Sequence, residues 1–462
     1  MKIFLSSISK NNLYLGIGIL LFLYVVARAF MLSMTHDESL SFTIINGDDT
    51  WKYTANNHVL NTKLMGICQW LFGNSAFSLR LPNVLSFAIY LYASFLLISK
   101  ISSTLLQILG FSILLLNPYM LDFFSLARGY GISLACFVAS MYFLLKQIEI
   151  WKTTPTHLRN YFAYLAFSSA ALFANLGMIN YFLASHLVLI ICSRKLIAAA
   201  ILGLFGSIPI YFAFKNLWKL KVNEQLYLGT SSFKNSFLAI LENSLYGKSG
   251  IAHLDKIILI LLISSSVMGL IITIKKQNYL NNWFILFAIN LVIISGFILE
   301  NLIFGSNYPL ERTAIFFIPL WGLTFIYALN NFQEFCTPAN KWMNTLAVGS
   351  AIILTLHFIN TSNLNQAHSW KYDAHTKDAI RFMAEAKKDS SLVSNHWLFE
   401  PTLKYYIKTE NLPIRLSGCV ETFAEPDFVY RYQDTSTIAD YSLLKSYPLS
   451  NSNLMAKTKA NE

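Results

Sequence analysis

A chain of 462 residues that is 55% hydrophobic and only 13% charged, with a mean hydropathy of +0.48, lies far from the balance of a soluble globular protein. Composition therefore predicts an all-α polytopic membrane protein. The net charge of +11 does not point to a nucleic-acid partner: residues 361–462 hold 12 basic and 12 acidic residues, so the excess sits in membrane loops, where orientation and anionic lipid account for it.

The first apolar run, about Leu13–Met34, is long enough to cross a bilayer. Its length and the lack of an A-x-A-like cleavage site favour a retained helix over a signal peptide. His36-Asp37-Glu38 follows directly, so two carboxylates emerge at the membrane surface. At that depth a partly desolvated carboxylate can act as a base on a lipid-linked substrate, or can simply mark the water boundary and cap the next helix. The loop 35–81 then carries Asp48-Asp49, Asn56-Asn57-His58 and a stretch, Val59–Phe72, too short and polar to span. That stretch predicts an interfacial helix anchored by Trp70 and stopped at Gly73-Asn74, making a roofed cleft with the acidic pair.

About eleven apolar spans are expected, near 12–34, 82–99, 103–121, 129–146, 161–177, 178–193, 196–214, 257–274, 283–300, 313–330 and 343–360, with 161–193 open to reading as one re-entrant hairpin. Lys2, Lys10, Lys100, Lys146, Lys152, Arg159, Arg194, Lys195, Lys275, Lys276 and Lys341 all fall on one side, which the positive-inside rule makes cytoplasmic. The acidic pair, the loops 215–256 and 300–312, and everything after 360 then face outward. In the loop 215–256, Tyr227, Tyr246 and Lys248 are within reach of a sugar or phosphate, although most of its lysines read as solvated. Cys68, Cys136, Cys192, Cys336 and Cys419 show no metal spacing and predict no disulfide framework.

Beyond 361 the apolar spans stop, dividing the chain into a membrane domain, 1–360, and an outer domain, 361–462. The latter reads as a small α/β unit with a helix over Thr376–Lys387, a strand over Ser391–Ser394, a helix over Pro401–Ile407 and a frayed end from Asn451. Asn395-His396-Trp397 and Tyr405-Tyr406 are read as core packing before acceptor contact.

Five elements in order carry a family resemblance: the acidic pair after the first span; Asn57-His58 with Leu60 behind it; Gln69-Trp70-Leu71-Phe72-Gly73 running on to Phe77-Ser78-Leu79-Arg80-Leu81-Pro82; and the stretches Ser125-Leu126-Ala127-Arg128-Gly129-Tyr130 and Tyr308-Pro309-Leu310-Glu311-Arg312. Together they resemble the GT-C glycosyltransferases, among them bacterial lipid A aminoarabinose transferases, rhizobial lipopolysaccharide sugar transferases and, more distantly, protein O-mannosyltransferases. The resemblance implies an inverting transfer from a polyprenyl-phosphate sugar to a glycolipid, polysaccharide or protein acceptor, at the outer face of a bacterial cell membrane. It also implies Asp37 as the base, with Glu38 as second choice or acceptor-orienting partner.

Arg128 and Arg312 become candidates for the donor phosphate, because guanidinium forks pair with phosphate oxygens. Tyr130 and Tyr308, in the same stretches, join them as substrate-binding candidates. Arg80 is a further one, although fixing the first loop by binding a carboxylate or headgroup is its preferred reading. Arg28 lies inside the first span and is expected to snorkel or form a buried pair, while Asp122 and Glu311 are expected to pair with Arg128 and Arg312. His58 is expected to hydrogen-bond substrate; a divalent metal shared with His36 and the acids stays open, without a recognised zinc spacing. Asn57 stands where aminoarabinose transferases offer a lysine, which weakens the case for aminoarabinose as the donor sugar. A transporter or flippase for a lipid-linked sugar, or a scaffold that only binds one, is the alternative to an enzyme.

Overall fold

The computed structural model describes residues 10–154, 156–193, 195–226, 229–247, 253–336, 340–417, 425–433 and 438–458. Lys2, Arg194, Tyr227, Lys248 and Cys419 lie outside them; the other four cysteines are free thiols.

The chain opens with α1 (Lys10–Met31), a short α2 (His36–Ile45) and α3 (Val59–Phe72), which ends at Gly73 with φ of 82°, a left-handed value that glycine adopts without strain. α3 covers the span expected of an interfacial helix, and Trp70 near its end is 83% exposed. The bundle continues with α4 (Ala76–Ile98), α5 (Thr104–Leu115), α6 (Pro118–Phe124), α7 (Gly129–Trp151), α8 (Arg159–Ala174), α9 (Ile179–Cys192) and α10 (Leu196–Val222). It closes with α11 (Phe233–Ser244), α12 (Leu254–Lys276), α13 (Asn282–Phe304), α14 (Phe317–Phe335) and α15 (Asn340–Thr361). α7 is its enclosed axis, packed against α4 and α8, and carries buried residues along nearly its whole length.

Among the described residues, seven helices are long and apolar enough to cross a membrane, and α5 with α6, bent by 56°, makes an eighth if the pair is one span. The bend falls where the Asn117 side chain caps α6 and Pro118 occupies its first turn, so a new helix starts in a new direction. Three expected spans, 161–177, 178–193 and 313–330, are helical where expected but do not reach that standard. α8 and α9 have only 16 and 14 residues, and the turn Leu176–Met178 separates them.

After α15, α16 (Thr376–Ala386), β1 (Ser391–Asn395), α17 (Glu400–Glu410), β2 (Ile414–Leu416), β3 (Phe428–Tyr432), β4 (Tyr441–Tyr447) and β5 (Ser452–Lys457) form the α/β unit. Its sheet has the order β2-β1-β3-β5-β4, with parallel pairing on both sides of β1 and antiparallel pairing of β5 with β3 and β4. The end expected to fray is therefore a correction: residues 452–457 form an interior strand. Leu454 is fully buried against the core made by Val393, Leu403 and Tyr430, so apolar burial outweighs the polar composition of that segment.

Candidate active site

Helix α2 is built around its first four residues. Thr35 caps it, its hydroxyl accepting from the Glu38 amide at 3.3 Å, while the Glu38 carboxylate accepts from the Thr35 amide at 2.9 Å. This is the reciprocal capping box of a Thr-x-x-Glu sequence. The same carboxylate takes two parallel hydrogen bonds from Arg80, each 2.8 Å, and one from the Ala127 amide at 2.6 Å. Arg80 spends its remaining donors on the carbonyls of Ala29, Leu32 and Ser33, so all five are engaged. Both side chains are fully buried. Glu38 and Arg80, candidates for catalysis and substrate binding, are thus saturated by each other and by backbone, and they fasten α1, α2, α4 and the segment before α7 together.

One residue earlier the environment is different. Asp37 is buried, and its Oδ2 lies 3.5 Å from Arg128 and 3.4 Å from Arg312 without forming a hydrogen bond. It is held by charge alone, which leaves lone pairs for a ligand. Burial opposes its ionisation, but the two guanidinium groups outweigh that and hold the carboxyl below the usual aspartate range. Arg128, the residue preceding α7, is itself anchored, donating to the carbonyls of Asp37 at 3.2 Å and Asn56 at 2.9 Å, with its Nε unpaired. Arg312 keeps one-fifth of its side chain exposed and lies over the Trp370 ring, 5.0 Å from its centre. One carboxylate between two guanidiniums leaves this pocket with a positive balance.

His58 precedes α3 and is buried beside them. Its Nδ1 donates to the Ala174 carbonyl at 2.9 Å, its ring meets Tyr130 edge-on at 4.6 Å, and its Nε2 has no partner. Burial, reinforced by Arg128, keeps the imidazole neutral. Gly129 permits this junction, since a Cβ there would stand 2.0 Å from the Ala174 carbonyl oxygen and 2.7 Å from His58 Cβ. Tyr308 is placed differently: its backbone pairs with Thr230 and its hydroxyl donates to Asn301 at 3.2 Å, tying the loop before α11 to the approach to Arg312.

The remaining charged candidates rearrange. Asp122 pairs with Arg28 and not with Arg128, and also accepts from the Tyr246 hydroxyl at 3.1 Å and the His368 amide at 2.7 Å. Tyr246, expected to reach substrate, is buried in this network. Glu311 is exposed and enters no ion pair among the described residues. His36 directs its Nδ1 to the Leu398 carbonyl at 2.8 Å, in the α/β unit. Among the described residues no group of three or more His, Cys, Asp or Glu side chains is arranged to hold a metal.

Several contributors were not singled out in the sequence. Asn61 and Asn83 hydrogen-bond each other at 2.8 Å and fix the Ala127 carbonyl and the Ile132 amide, which sets the position of Arg128. The turn His368–Asp373, beyond the compositional boundary at 361, supplies Trp370 beneath Arg312 and Asp373, whose carboxylate accepts from the His36 amide at 2.6 Å. The Thr35–Glu38 box was a readable signal; a lone Asp in a polar domain was not. A cavity of about 1030 Å³ opens among α5, α11, α12, α14 and α15, lined by Leu109, Ile113, Leu241, Leu262 and Trp321 with Asn117 and Ser244.

No protein-family model and no curated protein matches this sequence. Among solved structures the chain is similar to ArnT from Cupriavidus metallidurans in the apo state, with 12% identity, a TM-score of 0.57 and coverage of 97% of this chain and 98% of that one. The structure of ArnT from Cupriavidus metallidurans bound to undecaprenyl phosphate matches with the same identity and coverage and a TM-score of 0.56. At that identity the likeness is one of fold.

Proposed function

We propose, on the GT-C-type fold that this chain has, that it is a multi-pass membrane glycosyltransferase which moves a sugar, with inversion, from a polyprenyl-phosphate donor to an envelope acceptor at the outer face of a bacterial cell membrane. The observation that carries the reading is Asp37: a buried carboxylate whose Oδ2 has no hydrogen-bond partner among the described residues and lies between two guanidinium groups. Support for a lipid donor comes from the similarly folded ArnT bound to undecaprenyl phosphate and from an apolar cavity large enough for a hydrocarbon tail.

In this reading Arg128 and Arg312 bind the donor phosphate bidentately and stabilise the charge that grows on it. An acceptor hydroxyl attacks the anomeric carbon from the opposite side and gives its proton to Asp37 Oδ2 as the new C–O bond forms. The bond from that carbon to the phosphate oxygen breaks, and the polyprenyl phosphate leaves with the electron pair. A carboxylate depressed by two arginines is a weak base, and phosphate binding corrects this by drawing both guanidinium charges onto itself. Glu38 and Arg80 position Asp37 without touching substrate. The acceptor is a glycolipid, polysaccharide or protein.

The purified protein is expected to bind undecaprenyl phosphate, and Arg312→Ala to weaken that binding about tenfold or more, as the loss of a charged hydrogen-bond pair requires. Equal affinity in the variant would remove Arg312 from the phosphate site.

A further inference from the structure

Among the described residues, four buried polar atoms around this site have no hydrogen-bond partner: Asp37 Oδ2, Arg128 Nε, His58 Nε2 and Asn175 Nδ2. The first two belong to the charged centre already described. The other two are a complementary pair, one acceptor and one donor, and unmatched groups of that kind are costly to bury.

The roles of both atoms follow from their partners. His58 Nδ1 faces a carbonyl, which only accepts, so Nδ1 carries the proton and Nε2 of the neutral ring is an acceptor. Asn175 Oδ1 takes the Gly177 amide at 3.1 Å, which identifies the oxygen and leaves Nδ2 as the free donor. The chain brings the two residues to one junction. Ala174, whose carbonyl holds His58, immediately precedes Asn175. On the other side, the Cβ position of Gly177 lies 3.3 Å from the carbonyl oxygen of Thr313, the residue after Arg312. Asn175 thus sits in the turn between the His58 contact and the Arg312 segment.

Resting on the donor reading above, we propose that His58 and Asn175 read a hydroxyl group of the donor sugar, and that the sugar carries no ammonium group at that position. The anomeric carbon is bonded to the phosphate; His58 packs against Gly129, next to Arg128, and the turn that holds Asn175 meets Thr313, next to Arg312, so a phosphate on the two arginines brings the sugar ring to this junction. A hydroxyl donates to His58 Nε2 and accepts from Asn175 Nδ2 at once. A hydrogen does neither. An ammonium satisfies the histidine but has no lone pair, so it leaves the Asn175 donor unmatched and sets donor against donor. The substrate class is a neutral sugar.

The test measures binding to the full-length protein in lipid nanodiscs. The probes are undecaprenyl phosphate, the same lipid phosphate carrying glucose, galactose, mannose, arabinose or N-acetylglucosamine, and one carrying 4-amino-4-deoxyarabinose. At least one neutral sugar is expected to bind about tenfold or more tighter than undecaprenyl phosphate, and the amino sugar no tighter. Asn175→Ser, which keeps an oxygen for the Gly177 amide, and His58→Asn, which keeps a donor for the Ala174 carbonyl, are each expected to erase the gain from the sugar while leaving undecaprenyl phosphate affinity and Tm unchanged. A sugar-dependent gain that survives both substitutions, a gain for the amino sugar, no gain for any neutral sugar, or a variant that loses Tm and undecaprenyl phosphate binding together overturns the assignment. A wild-type protein that does not bind undecaprenyl phosphate removes the donor reading itself.

Discussion

Asp37 and Glu38 are neighbours with opposite fates, and the difference is hydrogen bonding. Glu38 has Arg80 and two backbone amides on its oxygens, whereas Asp37 Oδ2 has only distant charge. Removing one partner of a fully buried pair leaves an uncompensated charge, so Arg80→Ala is expected to cost roughly 3–5 kcal/mol in thermal or denaturant unfolding. Arg312→Ala, part-exposed and with a single ion pair, is expected to change stability little. The pH profile separates the two states of Asp37. Its pKa is depressed in the free protein, so it stays ionised as pH falls through the ordinary aspartate value near ~3.9. The acid limb of kcat/KM is therefore expected below that value, and the limb of kcat, with phosphate holding the arginines, at higher pH. A kcat limb at or below the kcat/KM limb contradicts this. The Thr35-x-x-Glu38 spacing made the structural role of Glu38 legible, but the partner of each arginine was not: Asp122 turns to Arg28 because α1 and α6 pack side by side, a pairing no local spacing records.

At the scale of elements, the start of α2 is gripped from the α/β unit. Asp373 accepts from the His36 amide, and the Tyr406 hydroxyl of α17 accepts from the Met34 amide at 2.7 Å. Tyr406→Phe is expected to cost about 1–3 kcal/mol in unfolding measurements, because it strands a buried amide. Asp373 enters no ion pair among the described residues, and burial pushes its carboxyl well above the ordinary value. A raised folded-state pKa favours the protonated form, so its contribution to stability is complete below ~3.9 and is lost as pH rises through the folded value. Asp373→Asn keeps an acceptor for His36 and can donate to Thr376 in return. It is expected to raise Tm at pH 8 and not at pH 4, and an equal shift at both contradicts the burial argument. Helices were readable from apolar length, α3 to its limits, whereas β5 was not: its partners begin at residue 428, and its composition is polar.

At the scale of the molecule, composition separated membrane from polar sequence at 361, but the site does not respect that boundary. The carbonyls of Asn363 and Gln366 accept from Arg28, the His368 amide donates to Asp122, and Trp370 lies under Arg312, so the segment after α15 closes the same end of the bundle that Asp37 opens. That closure is a tertiary fact carried by backbone groups, which every residue has and no sequence pattern marks. The central claim is that Asp37 takes a proton during sugar transfer. Mass spectrometry of lipid-linked sugars and envelope glycans tests it most directly, in cells whose only copy of the protein carries Asp37→Asn, a substitution that keeps the shape and removes the base. The account predicts that one glycan loses one sugar residue while the corresponding polyprenyl-phosphate sugar accumulates; glycans identical to those of the wild type would contradict it.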